Sequence, residues 1–311
     1  DGGDLIFWAN SDGETSNGSV FLRDGSSITT SGGHIWAGGG STSVNWNGLI
    51  VGDGYAVGGT SVTPSNGGSN LTSGIFIEKS TITTNGGKIE LKGDGQTSYA
   101  GMVTYGSNTI STGSGTINIE GIVSGSINAP GISFGHHDSR IAGNMTMTSS
   151  ATGDAITING VGKGTQSGVS LNGIVTLEST GDGNIKVKGS GGSSKYGIEV
   201  GSYYYGLLNI YATSGDININ GGVRGIRVST AVTSGQTSGP SKLNIGQGGT
   251  ISSSSSNVKL IGDALSVATT NGLDVNTSGT FALESFSDSF NSAITYPISN
   301  LSLASSVSGL T

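Results

Sequence analysis

The sequence has no cysteine, only four prolines in 311 residues, and charged side chains at just 11% of its positions. Without cysteine there can be no disulfide, thiolate metal ligand or cysteine nucleophile. Four prolines and no Gly-X-Y period exclude collagen. No stretch approaches the roughly 18 consecutive apolar residues of a membrane span. Nucleic acid is not expected as a partner, because it is held mainly by basic contacts to phosphates and Lys plus Arg number 13 against 20 Asp plus Glu.

Three small residue types fill much of the chain instead. Gly (58), Ser (51) and Thr (33) together make 142 of 311 residues. The apolar residues lie scattered in twos and threes, without the stripes of an amphipathic helix, and the low charge is not typical of disorder. This composition is common in exported bacterial proteins. Since the chain starts at Asp1 without a signal segment, we expect it to be a mature or excised part of an exported protein.

One short unit recurs along the sequence: small residues, then an apolar-x-apolar triplet, then glycine. The copies have their triplets at Ile89–Leu91, Ile117–Ile119, Ile156–Ile158, Ile185–Val187 and Ile217–Ile219. A second unit, glycine before a short apolar strand, starts at Gly74, Gly101, Gly131, Gly168, Gly197 and Gly225, at intervals of 27, 30, 37, 29 and 28 residues. A third short strand lies between them, for example at 80–84, 108–112, 175–177 and 208–210.

Three strands that recur about every 30 residues, each too short to be stable alone, predict a stacked all-β fold. We expect a right-handed parallel β-helix (a β-solenoid) with three short strands per rung and about ten rungs. Equivalent strands would pair at about 4.8 Å, and Ile, Val and Leu would form columns in a narrow core.

The regularity of the repeats varies along the chain. We assign the solenoid to residues 1–280, with looser rungs over 1–68, regular rungs over 69–230 and a long irregular rung over 225–272, where we expect an extra strand set or a loop. Residues 281–311 have less glycine punctuation, and we interpret them as a cap or a junction.

The segments Gly2–Asn10 and Asp53–Val57, together with the repeated Gly-x-Ile-x-Ile-x-Gly strands, resemble filamentous-haemagglutinin-like β-strand-repeat proteins. These are large exported bacterial adhesins built from long right-handed β-helices. The resemblance implies an extracellular or cell-surface location and a structural or adhesive role. It supplies no catalytic motif.

Few residues suggest chemistry. His136, His137, Asp138 and Arg140 could form an acid–base or metal site on a loop. Adjacent residues of a strand point to opposite faces, however, which favours the alternative of a polar loop. Asp154, Asp182 and Asp216 recur before the repeated triplet. They could bind calcium, our single cofactor candidate, or serve as turn formers whose side chains bond the local backbone.

Tyr203, Tyr204 and Tyr205 form the densest aromatic cluster. At least one ring should face outward, where it could stack on a sugar or contact a partner protein. The alternative is that one ring lies in the core and the others cover a corner of the fold.

We therefore expect a non-enzymatic segment of a bacterial extracellular fibre or adhesin, which acts as a stiff spacer or as a head-to-tail filament subunit. Its partners would be other copies of itself, surface glycans, or receptors on a host or neighbouring cell. The alternatives are a carbohydrate-binding or polysaccharide-degrading β-helix protein and a phage tail-spike-like protein.

Overall fold

A computed structural model describes residues 2–12, 18–59, 63, 65, 72–96, 99–135, 143–202, 205–230 and 240–288, and the backbone of two further strands at 301–303 and 309–310. In this part of the chain the secondary structure is almost entirely β. The one helical segment described is a 3₁₀ turn, Gly222–Arg224. No described helix has the length and hydrophobicity needed to cross a membrane.

One sheet, which we call sheet A, contains twelve of the described strands. Its main path follows the chain in order, and neighbouring strands on this path pair in parallel. The path consists of β1 (Leu5–Trp8), β4 (Ile35–Trp46), β9 (Ile89–Asp94), β11 (Ile117–Ile122), β14 (Asp154–Val161), β17 (Asn184–Ser190), β20 (Ile217–Asn220), β23 (Val258–Ile261), β26 (Thr280–Glu284) and β28 (Gly309–Leu310). β5 (Leu49–Gly54) pairs antiparallel with β4, and β6 (Ala56–Val57) pairs with β9.

The second sheet has sixteen described strands, which form two branches, and the strands within each branch pair in parallel. Branch B contains β2 (Val20–Leu22), β7 (Ile75–Glu78), the first half of β10 (Met102–Ser111), β12 (Ile132–Phe134), β15 (Val169–Leu171), β18 (Ile198–Val200), β21 (Ile226–Val228) and β24 (Leu265–Val267). Branch C contains β3 (Ser27–Thr29), β8 (Thr81–Thr83), the second half of β10, β13 (Gly143–Ser149), β16 (Ile174–Ser179), β19 (Leu207–Ala212), β22 (Lys242–Gly246), β25 (Leu273–Asn276) and β27 (Leu301–Leu303).

β10 joins the two branches because it turns at Gly106. The φ angle of Gly106 is +66°, in the left-handed region that glycine adopts without a steric penalty. Gly135 and Gly201 follow β12 and β18 with φ angles of +87° and +78°. The same backbone bend therefore separates branch B from branch C in several repeats.

The core consists of in-register columns of apolar side chains. Alternate residues of each sheet A strand point inward. In β11, Ile117 and Ile119 are fully buried, whereas Asn118 and Glu120 point outward and are only partly buried. The strand register stacks the first inward positions into one column: Leu5, Ile35, Ile89, Ile117, Ile156, Ile185, Ile217, Val258 and Phe281. This confirms the all-β prediction with parallel pairing between repeats.

The outward positions differ between the sheets. On branch C, Thr81, Thr109, Thr146 and Thr176 follow one another in register. On sheet A the outward positions carry charged and amide side chains, among them Glu90, Lys92, Glu120, Lys186 and Lys188. The outer face of sheet A thus presents a row of charged side chains.

The irregular interval 225–272 contains a further strand of each kind. It includes β22 of branch C, β23 of sheet A and β24 of branch B. The residue before β24 is Ala264, whereas Gly272 precedes β25 of branch C. Gly272 forms a tight turn in which its N–H donates to the carbonyl of Thr269 at 2.9 Å. Glycine therefore precedes strands of more than one branch. For this reason the interval between successive glycines, from Gly225 to Gly272, overestimates the length of this repeat.

Candidate functional site

The aspartates that we considered as calcium ligands form hydrogen bonds with residues of neighbouring repeats. At the start of the sheet A strands, Asp154 Oδ1 accepts from Asn184 Nδ2 at 3.2 Å, and Asn184 Oδ1 accepts from the N–H of Asp216 at 2.9 Å. Asp216 Oδ1 then accepts from Asn257 Nδ2 at 3.1 Å. Asp182 lies outside this column, where its Oδ1 accepts from Ser214 Oγ at 2.6 Å.

This arrangement separates the three carboxylates. Asp154 and Asp216 are two strands apart, about 10 Å between Cα atoms at the usual strand spacing, and Asn184 lies on the strand between them. A hydrogen bond from Lys186 Nζ, 2.7 Å from Asp154 Oδ2, lowers the pKa of Asp154 below its ordinary value. Within the described ranges no three His, Asp or Glu side chains form a metal-binding group. Calcium binding stays a prediction.

The other predicted site residues fall mostly outside the described part of the chain. His136, His137, Asp138, Arg140, Tyr203 and Tyr204 all lie outside the described residues. Tyr205 is described and is half-buried in the connection between β18 and β19.

A cluster that the sequence did not reveal lies on the outer surface of sheet A, near the hairpin of β4 and β5. We call it the hairpin patch and define it by Trp46, Tyr55, Glu90, Lys92 and Glu120. Trp46 ends β4 and hydrogen-bonds to the Glu90 carboxylate, while Tyr55, which follows β5, hydrogen-bonds to Glu120. Lys92 Nζ is 4.9 Å from the centre of the Tyr55 ring, within cation–π distance.

The hairpin patch alters the acidity of its members. Burial, followed by the hydrogen bond and charge of Glu120, raises the pKa of Tyr55, so the phenol stays protonated. Burial also raises the pKa of Glu90, although Lys92 and the Trp46 hydrogen bond oppose this effect. The patch combines two carboxylates, a cation and two aromatic rings on neighbouring strands.

Trp46 also packs against a polar group at the edge of this patch. Its ring lies edge-on to His34, with the ring centres 5.8 Å apart. His34 Nδ1 accepts from the N–H of Lys88 at 2.9 Å, and Asn47 hydrogen-bonds to His34 Nε2. Lys88 Nζ in turn donates to Asn47 Oδ1 at 3.0 Å. The hairpin end is thereby fixed to the start of β9.

Three deeply buried glutamates elsewhere are satisfied by neighbouring groups and serve the packing of loops. Each carboxylate accepts from a side chain or backbone N–H on another segment, so none is left as a free buried charge. The contacts are Glu78 with Ser65 N (2.8 Å), Ser65 Oγ (2.7 Å) and Arg23 Nε (3.3 Å); Glu178 with Thr250 N (3.1 Å) and Oγ1 (2.9 Å); and Glu199 with Ser167 Oγ (2.8 Å) and Arg227 Nη1 (3.3 Å).

The hairpin patch escaped sequence reasoning because its members come from three parts of the chain. Trp46 and Tyr55 belong to the looser N-terminal region, whereas Glu90 and Glu120 are outward positions of β9 and β11. The repeats gave no signal, because Glu90 is equivalent to Asn118 and Glu120 is equivalent to Lys92. Comparisons of the chain with protein-family models, curated proteins and solved structures gave no match.

Proposed function

We propose that this chain forms a right-handed parallel β-solenoid and acts as a stiff, non-enzymatic segment of a bacterial extracellular fibre or adhesin. The observation that carries the proposal is the unbroken column of inward side chains from Leu5 to Phe281, held in register by parallel pairing along sheet A. A right-handed path is favoured because crossovers between parallel strands of one sheet are almost always right-handed.

The dimensions support a spacer. Ten strands follow one another along the main path of sheet A. At about 4.8 Å per strand step they span about 45 Å along the stacking direction. Bending such a stack would stretch rows of backbone hydrogen bonds on one side and compress the close-packed core on the other, so the segment would resist bending.

The edge strands support the variant in which copies stack end to end. β1 lies at one edge of sheet A, and exposed edges of this kind can pair with a strand of another chain. A head-to-tail contact that does not close generates a filament. In this variant the partner is a second copy of the chain.

Small-angle X-ray scattering and electron microscopy test the proposal. We expect scattering from an elongated particle, and micrographs of material sheared from the source cells should show rods or long fibres with an axial repeat near one rod length. A near-spherical particle would contradict the solenoid. Labelling confined to the cytoplasm in immuno-electron microscopy would contradict the extracellular role.

The hairpin patch favours a second candidate, a carbohydrate-active site. Glu90 pairs with Asn118, two residues before Glu120, so the Cα atoms of the two glutamates are about 8 Å apart by strand spacing and rise. Most glycosidases use a pair of carboxyl groups, one protonated and one ionised, that flank the bond they cleave. Glu90, with its raised pKa, would protonate the leaving oxygen, while Glu120 would activate water.

An assay for new reducing ends on a panel of polysaccharides separates the two candidates. If the patch hydrolyses glycosidic bonds, Glu90→Gln and Glu120→Gln should each abolish product, whereas Glu284→Gln, on the same sheet outside the patch, should retain it. No product from the unaltered protein, or equal product from all variants, would remove this candidate and leave the spacer proposal untouched.

A further inference from the structure

A cleft lies beside sheet A and adjoins the hairpin patch, since its Asn159 Nδ2 donates to Glu120 Oε1 of the patch at 3.2 Å. Its volume is about 450 Å³, within the usual range of ligand pockets. The side chains that matter for its chemistry are Asn159, Val161, Lys188, Val223, Arg224 and Phe286. The backbone of several glycines, among them Gly189 and Gly221, completes the lining.

The cleft forms where the connections between sheet A and branch B become shorter. The connection from sheet A to branch B runs through residues 191–197 after β17, but shortens to 221–225 after β20 and to 262–264 after β23. β20 also ends two register positions earlier than β17, because Lys188 pairs with Asn220, the last residue of β20. The shorter segments leave a recess beneath the longer ones.

Phe286 belongs to an anchored segment. Asp263, in the short connection after β23, accepts from the N–H of Ser287 at 2.7 Å and from its hydroxyl at 2.5 Å. Although burial alone would raise the pKa of Asp263, these bonds and one from the Phe286 N–H lower it. The carboxylate therefore stays ionised at neutral pH and holds the segment that presents Phe286 to the cleft.

The cleft carries positive charge without local compensation. Neither Lys188 nor Arg224 has an ion-pair partner in the described part of the chain, and no Asp or Glu lines the cleft. Neighbouring lysines of sheet A are paired: Lys186 with Asp154 and Lys259 with Glu284, both at 2.7 Å. In a chain with net charge −7, two uncompensated cations in one recess favour an anionic ligand.

The cleft also gathers exposed apolar side chains. Seven large hydrophobic residues are exposed among those described, and three of them line this recess: Val161 (37%), Val223 (59%) and Phe286 (48%). A convergence of exposed apolar groups marks an interaction site more reliably than scattered ones. The ligand should therefore have an apolar surface as well as a negative charge.

We propose that this cleft binds a carboxylated sugar, the uronic acid unit of an acidic polysaccharide. The planar guanidinium of Arg224 suits a carboxylate, which it can hold through two parallel hydrogen bonds, and Lys188 adds a second charge. The C–H face of the pyranose ring would pack on Phe286, and its hydroxyls would meet Asn159 and the glycine backbone. The inference rests on the proposed extracellular function, for which it names a glycan partner.

Titration calorimetry with a galacturonate trimer tests the proposal, with a neutral glucose trimer and a sulfated disaccharide as comparison ligands. We expect saturable binding of the galacturonate only. Lys188→Ala and Arg224→Ala should each weaken it at least about tenfold, the size expected for a charge-assisted hydrogen bond. Phe286→Ala should also weaken galacturonate binding, because the pyranose ring would lose the apolar surface on which it packs.

Two control variants lie outside the cleft, one on sheet A and one on the hairpin. Lys186→Ala removes a neighbouring but paired lysine, and Ile50→Ala removes a side chain that is 59% exposed on the hairpin. Both should bind galacturonate like the unaltered protein, and thermal melting should be unchanged in all variants. Equal losses from Lys186→Ala, equal binding of all anions, or no galacturonate binding would each overturn the proposal. If galacturonate binding fails but scattering still indicates an elongated particle, the glycan proposal is wrong and the spacer proposal stands.

Discussion

A glycine with no room for a side chain stands at the start of many sheet A strands. A Cβ on Gly115 would lie 2.0 Å from the carbonyl oxygen of Gly87, and one on Gly87 would lie 1.9 Å from that of Gly33. Three residues before such a glycine lies a residue with a buried hydroxyl group. Thr112, for example, donates from Oγ1 to the carbonyl of Gly115 at 2.6 Å. The recurring small residues before each triplet are therefore a packing requirement between repeats.

Gly115→Ala should destabilise the protein by about 3 kcal/mol or more, because the methyl group would overlap a backbone oxygen that cannot move away alone. Chemical denaturation measures the change. Gly3→Ala is the control, since nothing lies within 4 Å of a Cβ at Gly3, and it should change stability by less than about 0.5 kcal/mol. Equal stability of the two variants would contradict the close approach of the repeats.

Glu90 should make stability depend on pH. Its pKa is raised in the folded state, so the folded protein binds more protons than the unfolded chain and loses stability as pH rises from the unfolded value, about 4.3, through the folded value. Glu90→Gln should therefore increase the melting temperature at pH 7 and change it little below pH 4. Glu284→Gln should not reproduce this difference. A destabilising effect of Glu90→Gln at pH 7 would show that the ionised carboxylate is favoured in the folded state.

At the scale of strands, the periodic sequence predicted much of the fold. The apolar triplets at Ile89–Leu91, Ile117–Ile119 and Ile185–Val187 all lie within strands of sheet A, because alternation reports directly which side chains face the core. The hairpin of β4 and β5 was not predicted. Residues 38–43 are mostly glycine, serine and threonine and lack an apolar alternation, so nothing in that segment indicated a strand continuing to Trp46.

The candidate sites were harder to predict than the strands for a physical reason. Lys188, Arg224 and Phe286 are far apart in sequence, and they meet only because successive connections between sheet A and branch B shorten. Repeat spacing predicts which strands stack but not how far each loop projects. By contrast, Asp154 and Asp216 stood out in the sequence because they occupy repeated positions, and their main contacts are between repeats.

The two faces of β11 should respond differently to substitution. Ile119→Ala should cost about 2–5 kcal/mol, since Ile119 is fully buried in an inward column. Asn118→Ala, one residue away on the partly buried face, should cost less than about 0.5 kcal/mol. Denaturant titration of both variants tests the assignment, and similar costs would contradict the strand orientation.

For the whole molecule, contacts between strands link mainly neighbouring repeats. Sheet A pairs β11 with β9 and β14, and β14 with β17, so that Ile156 and Ile185 occupy equivalent positions. Stability in such an array approximates a sum of repeat and neighbour terms. No single strand pairing therefore defines the fold.

Removal of residues 156–184 should leave a folded protein, because it joins Ala155 to Ile185 in the register of the original strand. The scattering profile should correspond to a particle shorter by one strand step, about 4.8 Å. Removal of residues 156–170 instead joins a sheet A strand to the end of a branch B strand, and we expect loss of the cooperative melting transition. Cooperative melting of both deletions would contradict the repeat register.

Pairing between neighbouring repeats also places the two candidate sites side by side. The hairpin patch involves strands from β4 to β11, while the cleft involves β14, β17 and segments that follow β20 and β26. β11 and β14 are adjacent strands, and Asn159 Nδ2 of the cleft donates a hydrogen bond to Glu120 Oε1 of the patch at 3.2 Å. A ligand that engages the Asn159 amide should therefore change the hydrogen bonding of Glu120, and occupancy of one site should alter the affinity of the other.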